Sequence, residues 1–184
     1  LALHGLWPGF IIPRGGEKSP TNCATKAKLV QEAMPREYID LAPSYTKWNP
    51  AVHRAEVSGL AKHEWNKHGT CSGLSPELYF AEALRAFSLL PGDRGTPALI
   101  TSNVGGSVST AALRSAYSKA VAIKADRACQ LSEVTTCWEK LPDGRLGPQM
   151  DCPKHVMNGR DTPSCASIKI NQLGQCMLAA RKKK

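Results

Sequence analysis

The sequence predicts an α+β fold in one domain over residues 1–184: an antiparallel β-sheet packed with several α-helices and stapled by disulfides. Three observations carry this expectation. Helical patterning is concentrated in the first half, Val/Ile/Thr-rich segments lie in the second, and seven cysteines are spread over 184 residues. Helices followed by strands fit α+β better than a parallel βαβ repeat. A hydrophobic content of 42% suits a chain of this length with a real core. No apolar run is long enough to span a membrane.

Leu1-Ala2-Leu3 is a short apolar run compatible with a strand. Gly9 to Thr21 is a Pro/Gly-rich exposed loop. Lys26 to Met34 has a helical pattern broken at Pro35, and Glu37 to Leu41 continues it. Pro43 to Pro50 reads as a connection, with Trp48 as a core residue. Ala51 to His68 is expected to form a helix ended by Gly69 in the left-handed conformation. The next helix is signalled by Ser75 as cap, Pro76 in the first turn, and Phe80, Leu84 and Phe87 on one face. That aromatic stripe is expected to be core packing. Pro91 to Gly106 reads as a long loop, and Thr110 to Ala120 as a helix with Leu113 and Tyr117 on one side. Val121 to Ala125 and Ser132 to Cys137 have strand character. Leu141 to Ser164 is turn-rich, and Ser167 to Ile170 is a last strand.

The formal charge of +9 and pI near 9.3 favour a polyanionic partner. Arg181, Lys182, Lys183 and Lys184 carry four of those charges in a basic tail over residues 177–184, leaving +5 on the body. Seven cysteines with no CxxC pair point to an oxidising compartment and away from zinc. There is no Asn-x-Ser/Thr acceptor and no visible signal peptide.

The densest chemistry lies in Ala61-Lys62-His63-Glu64-Trp65-Asn66-Lys67-His68-Gly69-Thr70-Cys71. At about 100° per residue, His63, Lys67, Glu64 and His68 share one arc of a helix, and Trp65 falls on the far side. A solvated face is the plain reading, because Glu64 with His68 and His63 with Lys67 have surface-pair spacing. A metal reading fails: zinc helices place histidines at i and i+4, and His63 and His68 are five apart. Acid–base catalysis needs a partner elsewhere, and His4-Gly5-Leu6-Trp7-Pro8 supplies a second histidine beside an aromatic. Alone, His4 could equally be a packed core residue.

Together, Leu3 to Pro8 and His63 to Cys71 resemble the two active-site segments of the RNase T2 family, metal-free ribonucleases of secretory and digestive compartments. The resemblance extends more loosely to about Ile170. It implies an RNase T2-like α+β fold whose first strand would precede Leu1. It implies disulfides Cys23–Cys71, Cys129–Cys165 and Cys137–Cys152, leaving Cys176 over. The implied activity is endonucleolytic cleavage of single-stranded RNA through a 2′,3′-cyclic phosphate, with no cofactor and no metal. In that scheme His68 is the base, His4 the acid, and His63 binds phosphate, while Glu64 and Lys67 support the transition state. RNA carries its own nucleophile in the ribose 2′-hydroxyl, so a base, an acid and cationic help suffice.

Base recognition departs from the family pattern. Trp7 matches an aromatic that stacks on the base upstream of the cut. Gly9 stands where Asp or Asn often reads that base, and Leu60-Ala61 replace the Phe-Trp that lines the downstream pocket in many members. Low base specificity is therefore expected, with Trp7 and Leu60 as the substrate-binding residues. The competing reading from another class is a non-catalytic RNA-binding or scaffold protein that keeps the fold. Cys176 and the basic tail are candidate contacts for protein partners, and no membrane partner is expected. A secreted, endolysosomal or periplasm-like location is implied.

Overall fold

A computed structural model describes residues 1–13, 15, 17–30, 33–41, 59–93, 95–160 and 165–172. Trp48, the expected helix start over residues 51–58, Cys176 and the basic tail lie outside the described residues. The chain falls into two compact units, Leu1–Leu89 with Lys140–Gly147, and Leu90–Glu139 with Pro148–Lys184.

The first unit is helical. Its helices are α1 (Arg36–Leu41), α2 (Gly59–Lys67) and α3 (Pro76–Ser88), with a 3₁₀ turn at Gly69–Cys71. α3 starts where the sequence placed it: Ser75 Oγ accepts from Leu78 N at 3.4 Å, and Pro76 fills the first turn. Phe80 and Phe87 are buried, and Leu84 is half-buried. Phe80 packs on Tyr38 at 4.5 Å and Tyr79 at 5.0 Å, so the aromatic stripe is core. Trp65 turns inward from α2 and meets the Tyr79 ring at 5.7 Å.

Buried Glu82 on α3 accepts from Arg85 Nε at 3.1 Å, Arg85 Nη2 at 2.8 Å and Leu146 N at 2.9 Å. Arg85 Nη2 also donates to Leu146 O, which closes a clasp between α3 and the turn-bearing segment 140–147.

In the second unit, α4 (Ala98–Thr101), β1 (Ser107–Ser109), α5 (Thr110–Ser115), β2 (Ala122–Ala125) and β3 (Leu131–Thr135) come first. Next in the chain are β4 (Cys137–Lys140) and β5 (Leu146–Met150), then α6 (Lys154–Arg160) and β6 (Ser167–Lys169). Pairing is distributed over three two-stranded ribbons, β1–β6, β2–β3 and β4–β5. The first two are antiparallel, with Val108 opposite Ile168 and Ile123 opposite Val134. The core gathers Ile100, Leu113, Tyr117, Val121, Ile123 and Ile168.

Several local expectations need correction. Leu1 to Leu3 is not a strand; Leu3 N makes one bond, to Leu41 O at 2.8 Å. Residues 26–30 form no helix, because the segment is tied at Cys23 to Cys71 and Asn22 N donates to Lys67 O at 2.9 Å. Thr25 Oγ1 also accepts from Ala27 N, a local turn that competes with helix. Pro91 to Gly106 contains α4 rather than being all loop.

α5 stops at Ser115, short of Ala120, whose N–H is taken by Asp151 Oδ1 at 2.7 Å. Leu141 to Ser164 holds β5 and α6. The Ser132 to Cys137 strand divides at Thr136, whose Oγ1 accepts from Trp138 Nε1. Three disulfides join Cys23 to Cys71, Cys129 to Cys165 and Cys137 to Cys152, the pairs the family resemblance implies. No described helix is long and apolar enough to cross a membrane.

Candidate active site

The site lies within the first unit, where the N-terminal segment crosses α2. Two buried tyrosines fix that segment. Tyr38 Oη donates to His4 O at 2.8 Å, and Tyr79 Oη donates to Leu6 O at 2.7 Å while accepting from Leu6 N at 3.3 Å. Tyr79 Oη also lies 3.4 Å from Glu64 O, so one hydroxyl ties the segment to α2. Burial first, and then the nearby Glu64 charge, push both phenol pKa values up, which keeps these hydroxyls as donors at any working pH.

Glu64 is the hub. It is 1% exposed, and its two oxygens have different partners. Oε1 is 3.2 Å from His4 Nε2, and Oε2 accepts from Trp7 Nε1 at 2.6 Å. Burial pushes the carboxyl pKa up. The hydrogen bonds from His4 and Trp7, with the charges of His4 and His68, outweigh it and hold the group below its ordinary value. An ionised Glu64 is thus the charge that a protonated His4 faces. Gly5 makes room for it: a Cβ there would sit 2.9 Å from Glu64 Cδ.

The Trp7 ring lies 5.2 Å from the His4 ring and 5.4 Å from the His68 ring. His68 meets His63 at 6.5 Å. The structure therefore brings His4, Trp7, Glu64 and His68 into one cluster with His63 at its margin. The His4 side chain is 42% exposed and His68 is 9% exposed, so the two imidazoles differ in access to solvent. Lys67 is half-buried, one turn beyond His63 on α2. Leu60 is half-buried near the start of α2, and Ala61 is fully buried. Gly9 is exposed.

Two expectations about this helix change. The four-residue arc is not a uniform solvent face, because Glu64 and His68 are buried while His63 is exposed. α2 ends at Lys67, and His68 occupies the turn that follows. Gly69 is not left-handed; it begins the 3₁₀ turn, and a Cβ there would sit 3.0 Å from Trp65 Cζ3. Its small size, not its φ, is what the position uses.

Sequence reasoning missed Tyr38, Tyr79 and Gly5. Tyr79 sits beside Phe80 in an apolar helix pattern, which gives it the look of plain core. Gly5 between His4 and Trp7 was the available signal of a close approach.

Helices with antiparallel ribbons, disulfides, and two imidazoles near a buried carboxylate define a disulfide-bonded α+β protein with a histidine–glutamate cluster. The model of the Ribonuclease T2 family matches residues 1–143, and the chain belongs to that family. Intracellular ribonuclease LX of Solanum lycopersicum is 38% identical over 85 residues, 45% of this chain and 32% of that protein. A ribonuclease of Aeromonas hydrophila is 42% identical over 73 residues, 40% of this chain and 25% of that protein. The chain thus matches about a third or less of the length of these curated relatives. Among solved structures, trichomaglin, an S-like ribonuclease, shares the fold with a TM-score of 0.60 at 20% identity, over 92% of this chain and 80% of that one. Ribonuclease MC1 from bitter gourd seeds does so at 0.56 and 23% identity, over 91% and 83%.

Proposed function

We propose that this protein is an endoribonuclease that cleaves single-stranded RNA by transphosphorylation, without a metal ion and with low base specificity. The observation that carries the reading is that His4 and His68 both lie against one indole, His4 at 5.2 Å and His68 at 5.4 Å, beside a buried Glu64.

His68, less exposed and in its neutral form, takes the proton of the ribose 2′-hydroxyl as that oxygen attacks phosphorus. His4, protonated and facing Glu64, gives its proton to the departing 5′-oxygen. The P–O5′ bond breaks, leaving a 2′,3′-cyclic phosphate and a 5′-hydroxyl. Exposed His63 and half-buried Lys67 on α2 bind the phosphate and stabilise its developing charge. Glu64 holds His4 in its protonated form and in one orientation. Water can later open the cyclic phosphate with the two histidines in exchanged roles. Low base preference is supported by Gly9, which has no side chain, and by Ala61, which is buried away from any ligand. Three disulfides support an oxidising compartment, secreted or endolysosomal.

Incubation of the protein with single-stranded RNA in EDTA tests the proposal. Fragments ending in 2′,3′-cyclic phosphate are expected. Intact RNA would overturn it and favour an RNA-binding protein that keeps the fold, and cleavage only after a divalent ion is added would overturn the metal-free mechanism.

A further inference from the structure

Trp7 occupies the position where the family resemblance puts a base-stacking aromatic. In the structure its indole also meets the groups assigned to proton transfer. The indole has one polar atom, and that N–H donates to Glu64 Oε2 at 2.6 Å. The ring lies against both His4 and His68. We propose that Trp7 is a positioning residue that acts through Glu64: its N–H anchors the buried carboxylate on His4 while His4 gains and loses its proton. The inference rests on the ribonuclease reading.

The physical need arises from the catalytic cycle. When His4 is protonated, its charge and its Nε2 hydrogen bond both hold Glu64 Oε1 at 3.2 Å. When His4 has given its proton away, the charge attraction is gone and the contact is weaker. A buried carboxylate then gains by taking up a proton or by swinging toward another donor. Among the described residues, the groups that face Glu64 are His4 and Trp7 on the N-terminal segment, His68 after α2, Tyr38 on α1 and Tyr79 on α3. The two tyrosine hydroxyls are spent on the carbonyls of His4 and Leu6. His68 changes charge during the reaction. The Trp7 N–H does not titrate, so its bond to Oε2 lasts through every protonation state. Gly5 leaves room for the same carboxylate to sit close against the N-terminal segment, within reach of the Trp7 N–H.

Trp7→Phe keeps an aromatic ring and deletes the N–H, which separates the two roles. The positioning role predicts a fall in kcat of about tenfold with KM nearly unchanged. It also predicts that the basic limb of the pH–kcat profile moves down by about one pH unit, the shift that corresponds to tenfold. In a Glu64→Gln background the same substitution should cost nothing more, because the path runs through Glu64. A stacking role predicts the opposite: near-normal kcat, any loss in KM, and the same loss in both backgrounds. Should Trp7→Phe fold poorly, benzothienylalanine at position 7 preserves the bicyclic shape and still lacks the N–H. NMR titration of the His4 ring protons reads the effect without turnover, with a lower midpoint expected in the variant. An unchanged His4 midpoint would overturn the positioning role even if RNA is cleaved. A lowered midpoint in a protein that cleaves no RNA would support the Trp7–Glu64–His4 coupling and sink the ribonuclease reading alone.

Discussion

Replacing Gly5 by alanine would put a Cβ 2.9 Å from Glu64 Cδ and closer still to Oε2. Such a contact is cheap when the end of a flexible side chain can step aside. Glu64 cannot: it is 1% exposed, with Oε1 on His4 and Oε2 on Trp7. The backbone of Gly5 is outside the left-handed region, so the new side chain brings no strain of its own. At an unconstrained site the change would stabilise by about 0.4–1 kcal/mol through the unfolded chain. Here overpacking costs about 1–3 kcal/mol, and a weakened charge-assisted hydrogen bond adds to it out of about 1.5–3 kcal/mol. A net loss of about 1–3 kcal/mol is expected in guanidinium denaturation, with slope unchanged. Cleavage should fall by about 10²-fold, the usual result of moving a catalytic group by about 1 Å. Gly9→Ala is the control, since a Cβ there meets only Ser19 Oγ at 3.4 Å. Wild-type stability and activity in Gly5→Ala would refute the picture of a pinned carboxylate.

His4→Ala and His68→Ala should each lower the cleavage rate by about 10²–10⁴. The double variant should fall by less than the product, because the two act as a unit; near-normal turnover in His68→Ala would remove it as the base. Burial raises the Glu82 pKa, but Arg85, the Leu146 N–H and the charges of Arg85 and Arg145 hold it below its ordinary 4.5. A depressed folded-state pKa contributes stability above 4.5 that is lost as pH falls through the folded value. Glu82→Gln should therefore cost about 1 kcal/mol at neutral pH, and melts at decreasing pH should show the gap to wild type closing; a constant gap would contradict the linkage. Opening the Cys23–Cys71 bridge by Cys23→Ser with Cys71→Ser should cost about 4 kcal/mol in the chain-entropy model, read by chemical denaturation.

The two candidate-site segments were legible because each packs its titratable residues into a few consecutive positions. His63, Glu64, Lys67 and His68 needed only helical spacing to be set on one helix. What spacing could not show was the depth of each. Glu64 is buried because Gly5 lets the N-terminal segment close over it, a contact between residues 59 positions apart. Tyr38 and Tyr79 were invisible as site residues, because a tyrosine in an apolar pattern looks like core until its hydroxyl is seen on a carbonyl.

α3 was read well from its cap, proline and stripe. The pairing of β1 with β6 was not, because Ser107-Val108-Ser109 is too short to show alternation and its partner lies 60 residues away. α6 was missed for want of start signals: Lys154-His155-Val156 has no capping residue or acidic first turn.

The central claim is that the ribose 2′-hydroxyl is the nucleophile, activated by His68 with His4 as acid. A DNA oligonucleotide carrying a single ribonucleotide tests it most directly, with products resolved by mass. The account predicts one cut, on the 3′ side of that ribose, leaving a 2′,3′-cyclic phosphate, and no cut in the all-deoxy strand or with His68→Ala. Cleavage of the all-deoxy strand at a comparable rate, or cutting at positions other than the ribose, would contradict it.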